Sequence, residues 1–213
     1  RLIQEDYKQE ITLDSGEKKN IYLIDKNNIH NNSLQVLNQY VNNDGNFDNR
    51  YDVTILVNGL PLVHVELKKR GIDLREAFNQ IERYQRDSFW AGSGLYNFVQ
   101  IFVISNGTLT KYYSNTTREF HINNQKKKKS NSFEFTSYWA DQKNNGITDL
   151  IDFAKTFFTK HTLLNVLTKY CVFTSEEDLL VMRPYQIVAT EKILNRITIA
   201  YNNKFYGTLK SGG

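Results

Sequence analysis

A single cysteine, Cys171, in 213 residues leaves no partner for an internal disulfide. That fits a reducing cytosol and predicts a buried, inert thiol. No apolar run reaches membrane-spanning length and no signal peptide opens the sequence, so the expected setting is the cytoplasm, away from any membrane. No Gly-x-x-x-x-Gly-Lys-Ser/Thr phosphate loop occurs, which removes ATP hydrolysis from these residues and leaves at most negligible ATP binding. The histidines, His30, His64, His121 and His161, lack the paired spacing of a zinc site. One cysteine and no Gly-x-Ser-x-Gly give acyl transfer no support. Neither sign of charge dominates: 27 Lys and Arg oppose 23 Asp and Glu, for a net +4 and a pI near 9.0. So mild an excess is compatible with a nucleic-acid partner without requiring one. No internal repeat is visible. The first residue is Arg1 rather than Met, and the expectation is a piece of a longer protein.

What is present is a hydrophobic content of 40%, enough for a substantial core. Short strands are expected over 10–13 and 20–25, around a Gly16 turn. Leu34, Leu37 and Val41 fall at helical spacing and predict a helix over 33–41, followed by a turn-rich stretch over 42–49. Asn58-Gly59, flanked by β-forming runs, predicts a hairpin over 51–69. Leu74, Ala77, Phe78 and Ile81 mark the buried stripe of a helix over 73–87. Gly92 and Gly94 break the chain, and the nearly continuous apolar run over 97–105 predicts a central strand buried on both faces. Asn106-Gly107 then turns into a strand over 108–114, Lys126–Lys129 sits in a polar loop, and 133–139 reads as a strand. Helices are expected over 148–158, with Thr148 as N-cap, over 162–170, and from Pro184 through 201. This order predicts an α/β fold with a mixed central β-sheet flanked by helices.

The chemistry sits on the hairpin. Asp52 lies on its first strand and Glu66-Leu67-Lys68 on its second. Glu66 and Lys68 share one strand face, while Val63, Val65 and Leu67 bury the other. Acids projected from adjacent strands suit a hard divalent cation: Asp52 and Glu66 supply oxygens to Mg²⁺ and the Leu67 carbonyl supplies another. The metal polarises a scissile phosphate and acidifies a water, and Lys68 orients that water or neutralises developing charge. Gln80 and Tyr84, four apart on a helix, share a face and either hydrogen-bond phosphate oxygens or steady Lys68. The competing reading makes the triplet a solvated charged face, Asp52 a strand cap, and Gln80 and Tyr84 helix-edge packing. Register separates the two. Strict pairing around a two-residue loop sets Asp52 opposite Val65 and points the two acids to opposite faces. A three-residue loop, or a bulge near Pro61, which has no N–H, shifts the pairing by one residue and brings both acids together; that shift is predicted.

Residues 49–63, Asn-Arg-Tyr-Asp-Val-Thr-Ile-Leu-Val-Asn-Gly-Leu-Pro-Leu-Val, with Glu66-Leu67-Lys68-Lys69-Arg70-Gly71, resemble the nuclease domain of the type I restriction enzyme motor subunit, which has the PD-(D/E)xK nuclease fold. Arg75 through Tyr84 resembles its Gln-x-x-x-Tyr motif, shared with RecB-like nucleases. The resemblance covers most of residues 1–175 and implies a restriction-endonuclease-like sheet. It also implies Asp52 and Glu66 as metal ligands, Lys68 as the catalytic lysine, and Gln80 and Tyr84 in support of DNA cleavage. Tyr51 stands where the literal motif has proline, a common departure. Some members add an acid from an N-terminal helix, for which Glu5 is the candidate. Met182-Arg183-Pro184-Tyr185-Gln186 resembles the entry motif of a superfamily 2 helicase or translocase, whose glutamine reads the adenine edge of ATP. For Gln186 the alternative is a simple Pro-initiated helix.

The resulting expectation is a Mg²⁺-dependent endonuclease domain over 1–175, with Mn²⁺ able to substitute, followed over 176–213 by a linker and the start of a motor. ATP would serve only the full-length motor. The resemblance implies double-stranded DNA as substrate, methyltransferase and specificity subunits as partners, and nonspecific cutting after translocation stalls. One alternative is a non-catalytic DNA-binding or docking module with a nuclease fold. Another is a RecB-like nuclease of a repair helicase, against which the motor motif following the nuclease counts. Lys126–Lys129 reads either as a DNA-backbone contact or as a solvated loop. Tyr112, Tyr113, Tyr138 and Trp139 read as sheet packing rather than base stacking.

Overall fold

The computed structural model describes residues 6–42, 49–89, 94–115, 132–175 and 178–204. An N-terminal hairpin, β1 (Lys8–Thr12) and β2 (Lys18–Tyr22), forms its own two-stranded sheet. The central sheet has five strands in the order β3 (Leu34–Asn42), β4 (Asn49–Val57), β5 (Leu60–Leu67), β6 (Ile101–Ser105) and β7 (Thr110–Ser114). Only the β5–β6 pair is parallel; the other pairs are antiparallel. A parallel pair needs a crossover, and helix α1 (Leu74–Asp87) lies in it. This is a mixed, restriction-endonuclease-like α/β sheet flanked by helices. Helices α2 (Leu150–Phe157), α3 (Lys160–Thr168) and α4 (Pro184–Asn202) follow, with two small sheets made of β8 (Trp139–Ala140) with β9 (Gly146–Ile147) and β10 (Cys171–Phe173) with β11 (Leu179–Val181). The expected domain boundary at 175/176 falls in the connection between β10 and β11. No helix among the described residues is long and apolar enough to cross a membrane.

Asn58 and Gly59 carry φ of +50° and +86°, the left-handed pair that a tight turn between twisted strands requires. The Asn58 side chain anchors the turn: it accepts from the Ser33 N–H at 2.7 Å and donates to the Leu23 carbonyl at 2.9 Å. Two cores then form, one on each face. Ile55, Val57, Val63, Val65, Ile101, Val103 and Tyr112 pack with α2 and α3 through Phe153, Phe157, Leu163 and Leu167. On the opposite face Tyr51, Phe102, Ile104 and Tyr113 meet Leu74, Ala77, Phe78, Ile81 and Tyr84 of α1. Cys171 is buried, and burial pushes its thiol up to about 12, which leaves it inert.

Several elements differ from the sequence expectation. Residues 33–41 are not a helix: they form the edge strand β3, paired to β4 from Leu34↔Val57 to Asn42↔Asn49. Leu34, Leu37 and Val41 fit a helical stripe, but the ladder to β4 overrides that weak periodicity, and Val36 and Val41 stay exposed. The stretch over 133–139 begins in a 3-10 helix, Ser132–Phe135, followed by a single bridge from Ser137 to Tyr112 and a two-residue strand, Trp139–Ala140. The strand expected over 97–105 begins only at Ile101, after the 3-10 helix Leu95–Phe98. Asp149, not Thr148, caps α2, accepting from the Ile151 N–H at 2.8 Å. Glu5, Gly92, His121, Lys126–Lys129 and most of the turn over 42–49 lie outside the described residues.

Phe157 is fully buried between Tyr112, Trp139 and Phe153, with ring centroids 4.7 to 5.1 Å away. Phe157→Ala is expected to cost about 3–5 kcal/mol, read as a lowered urea midpoint at unchanged slope.

Candidate metal centre

The sequence register around Asn58-Gly59 begins as a strict two-residue loop, with Val57↔Leu60 and Leu56↔Pro61. It then slips: Ile55 pairs with Val63, leaving Leu62 as the extra residue of a bulge beside Pro61. From Val63 onward the odd positions of β5 face α2 and α3, and His64, Glu66 and Lys68 face α1. The ladder ends at Val53↔Val65, and just beyond it Asp52 lies close enough for the Glu66 charge to act on its carboxyl. The Asp52 carboxylate accepts the Leu67 N–H at 2.8 Å, so it is held at the end of β5.

Glu66 has no exposed surface, which a carboxylate tolerates only with partners. Its Oε1 accepts from Lys68 Nζ at 2.8 Å. Lys68 Nζ also donates to Gln80 Oε1, and Gln80 Nε2 donates to the Tyr84 hydroxyl. An ammonium offers only donors, so Gln80 must turn its oxygen to Lys68 and its amide N–H to Tyr84. The Tyr84 hydroxyl donates to the Arg50 carbonyl at 3.2 Å. Burial, with the Glu66 charge adding, holds that phenol above its ordinary range, so it keeps its proton. The result is one continuous run, Glu66–Lys68–Gln80–Tyr84–Arg50, built from β5, α1 and β4. Its position follows from α1: Asp73 caps the helix by accepting from the Arg75 N–H at 2.8 Å, and the stripe from Leu74 to Ile81 fixes the face that points Gln80 at Lys68.

Glu66 Oε2 is the atom left over: it is buried and has no hydrogen-bond partner. Two nearby carboxylates with one such free oxygen make a hard-oxygen site that fits Mg²⁺ or Mn²⁺. Among the described residues no group of three or more His, Cys, Asp or Glu converges on a metal position. A cation here would therefore complete its shell with backbone carbonyl, water or phosphate oxygens, as Mg²⁺ ordinarily does.

His64, set aside above only as lacking the spacing of a zinc site, lies on β5 two residues before Glu66. It is fully buried, and its Nε2 lies 3.7 Å from Glu66 Oε2. By alternation it shares the face of Glu66, and the aromatic side chains packed around it account for its burial. Gln186 is elsewhere. Its Oε1 accepts the Arg183 N–H at 2.8 Å and so caps α4, which leaves its amide N–H group and one lone pair of that oxygen for any ligand. It lines an open cavity of about 750 Å³ with Arg183, Tyr185, Val172 and Met182, and none of the hairpin residues takes part.

Burial is the main reason the Asp52 carboxyl sits above its ordinary 3.8; the Leu67 N–H opposes it, the Glu66 charge adds to it, and Lys68 opposes it. A carboxyl raised in the folded state holds its proton more tightly there than in the unfolded chain. Stability is therefore lost as pH rises from 3.8 through the folded value. Asp52→Asn keeps an oxygen for the Leu67 N–H, so it is expected to raise the metal-free melting midpoint at neutral pH and to lose that advantage below the unfolded value. Melting curves across pH check this; a lower midpoint at neutral pH would mean that burial is not the dominant cause.

Residues 1–121 match the family model described as type I restriction enzyme R protein N terminus. Among relatives, the type I restriction enzyme EcoprrI endonuclease subunit of Escherichia coli is 53% identical over 204 residues, covering 96% of this chain and 62% of that protein. The type I restriction enzyme SauCOLORF180P endonuclease subunit of Staphylococcus aureus (strain COL) is 39% identical over 201 residues, covering 93% of this chain. The chain spans only 20% of the length of that relative. With the family model matching more than half of its length, this chain belongs to the type I restriction enzyme R protein family, as the N-terminal domain of an endonuclease subunit.

Proposed function

We propose that residues 1–175 are a Mg²⁺-dependent endonuclease domain of the PD-(D/E)xK type, and that 176–213 begin the ATP-driven motor of the same subunit. The observation that carries this reading is Glu66: a fully buried carboxylate beside Asp52, held on one oxygen by Lys68 and free on the other. A stability-driven site would not leave a buried carboxylate oxygen unpaired, whereas a cation site requires one. Bound Mg²⁺, or Mn²⁺ in its place, supplies Lewis-acid polarisation of the scissile phosphate.

Each side chain then has a task. Asp52 and Glu66, with the Leu67 carbonyl, hold the cation. Lys68 spends two of its three donors on Glu66 and Gln80, and the third is left for a phosphate oxygen or the attacking water. Gln80 and Tyr84 hold the ammonium in that position. Double-stranded DNA is the substrate, cut without sequence preference once translocation stalls. Methyltransferase and specificity subunits complete the complex, which works in the cytoplasm. Gln186 belongs to the motor, where its side-chain amide meets the adenine edge once the full-length subunit builds the ATP site.

The intact assembly carrying Lys68→Ala tests the proposal. DNA cleavage is expected to fall by about 100-fold or more, the loss typical of removing one aimed charge-stabilising donor, while ATP-driven translocation continues. Unchanged cleavage would make the domain a DNA-binding or docking module.

A further inference from the structure

His64 stands on β5 with no exposed surface, walled in by five aromatic rings: Tyr51, Tyr84, Phe89, Tyr96 and Phe102. Their centroids lie 5.4 to 6.4 Å from its own, and each plane stands at 76 to 80° to the imidazole. Such a slot suits a phenylalanine, and two ring nitrogens in it are costly unless one finds a partner.

Neither nitrogen has one. The wall offers three hydroxyls, and all are engaged elsewhere. Tyr51 donates to Ser88 Oγ at 2.7 Å, Tyr84 donates to the Arg50 carbonyl, and the Tyr96 hydroxyl bonds Thr54 Oγ1 at 3.0 Å. The polar atom that remains in front of the ring is Glu66 Oε2, itself buried and unpartnered, 3.7 Å from His64 Nε2. The packed rings fix the imidazole, so the carboxylate is the part that can turn. A movement of about 0.8 Å converts the contact into an ordinary N–H···O bond near 2.9 Å.

We infer that His64 is a positioning residue for the cation site: its Nε2–H holds Glu66 Oε2 while Lys68 holds Oε1, clamping the carboxylate in the orientation that binds the divalent ion. This rests on the reading of Asp52 and Glu66 as the ligands of that ion. Each carboxylate oxygen accepts more than one bond, so both clamps leave a lone pair for the cation. Carboxylates that ligate metals are themselves hydrogen-bonded, and loss of such a support ordinarily weakens metal binding by about 10–100-fold.

The test is Mn²⁺ binding to the intact nucleotide-free subunit, followed by the loss of the free-ion electron paramagnetic resonance signal, with thermal melting beside it. Asp52→Ala identifies which binding belongs to the hairpin. His64→Phe fills the aromatic slot without a donor and is expected to weaken that binding by about 10–100-fold with little change in melting. His64→Gln, whose amide reaches the Nε2 position, is expected to restore most of it, and His64→Asn, which reaches only the Nδ1 position, to restore little. Asp52-dependent binding that is equal in wild type and His64→Phe overturns the inference. Should His64→Phe fail to fold, equal binding by the Gln and Asn variants overturns it. Mn²⁺ binding indifferent to Asp52→Ala removes the underlying cation site instead, and the inference with it.

Discussion

Between the Leu56–Pro61 and Ile55–Val63 pairs, the β4–β5 ladder takes in one extra residue, Leu62. Side chains alternate along a strand with period two, so this single insertion exchanges the faces of every residue beyond it. Without it, Glu66 and Lys68 would enter the apolar layer under α2 and α3, and Val63, Val65 and Leu67 would meet α1. Pro61 has no N–H to give the ladder, and the irregularity sits beside it at little cost. The site presupposes this slip: it brings Glu66 to the side of Asp52 and gives Lys68 its reach to Gln80, whereas His64 shares the face of Glu66 by alternation alone.

The two faces of the sheet have different duties. The α2/α3 side is an apolar core that runs from Tyr7 and Ile24 through the strands to Leu167. The α1 side is aromatic and ends in charge. Glu66 sits at that rim with no exposed surface, and its desolvation is offset by Lys68 on one oxygen only. The unmet oxygen and the raised Asp52 carboxyl both mark places where the metal-free fold holds polar groups at a loss. Polar groups held at such a cost are the observation on which the proposed cation site rests.

Much of this was legible in the chain because its signals were local. Asn58-Gly59 specifies a hairpin by the φ values only those residues readily adopt, and both are observed. The Leu74–Ile81 stripe specifies α1 and the face it buries. Glu66-x-Lys68 and Gln80-x-x-x-Tyr84 each fix their own side. The strand β3 was not legible. Leu34, Leu37 and Val41 satisfy a helical stripe as well as an edge strand does, and an edge strand with exposed Val36 and Val41 lacks the clean alternation that would have separated the two. Residues 132–135 failed for a similar reason: aromatic residues there suit a strand, but they wrap over Phe78 through Phe133 instead of joining the sheet.

The sequence by itself determined the elements whose causes lie within a few residues: the turn, the capped amphipathic helix, and the identity of the acids, the lysine, the glutamine and the tyrosine. It also required a one-residue slip near Pro61 if the acids were to meet. Only the tertiary structure decided that the slip falls at Leu62, that Lys68, Gln80 and Tyr84 form one hydrogen-bonded run, and that His64 faces an unpaired oxygen of Glu66. Those outcomes depend on which strand pairs with which and on what α1 packs against. The residues themselves are close in the chain, but their meeting is set by the strand pairing and helix packing around them, which local propensity and periodicity do not record.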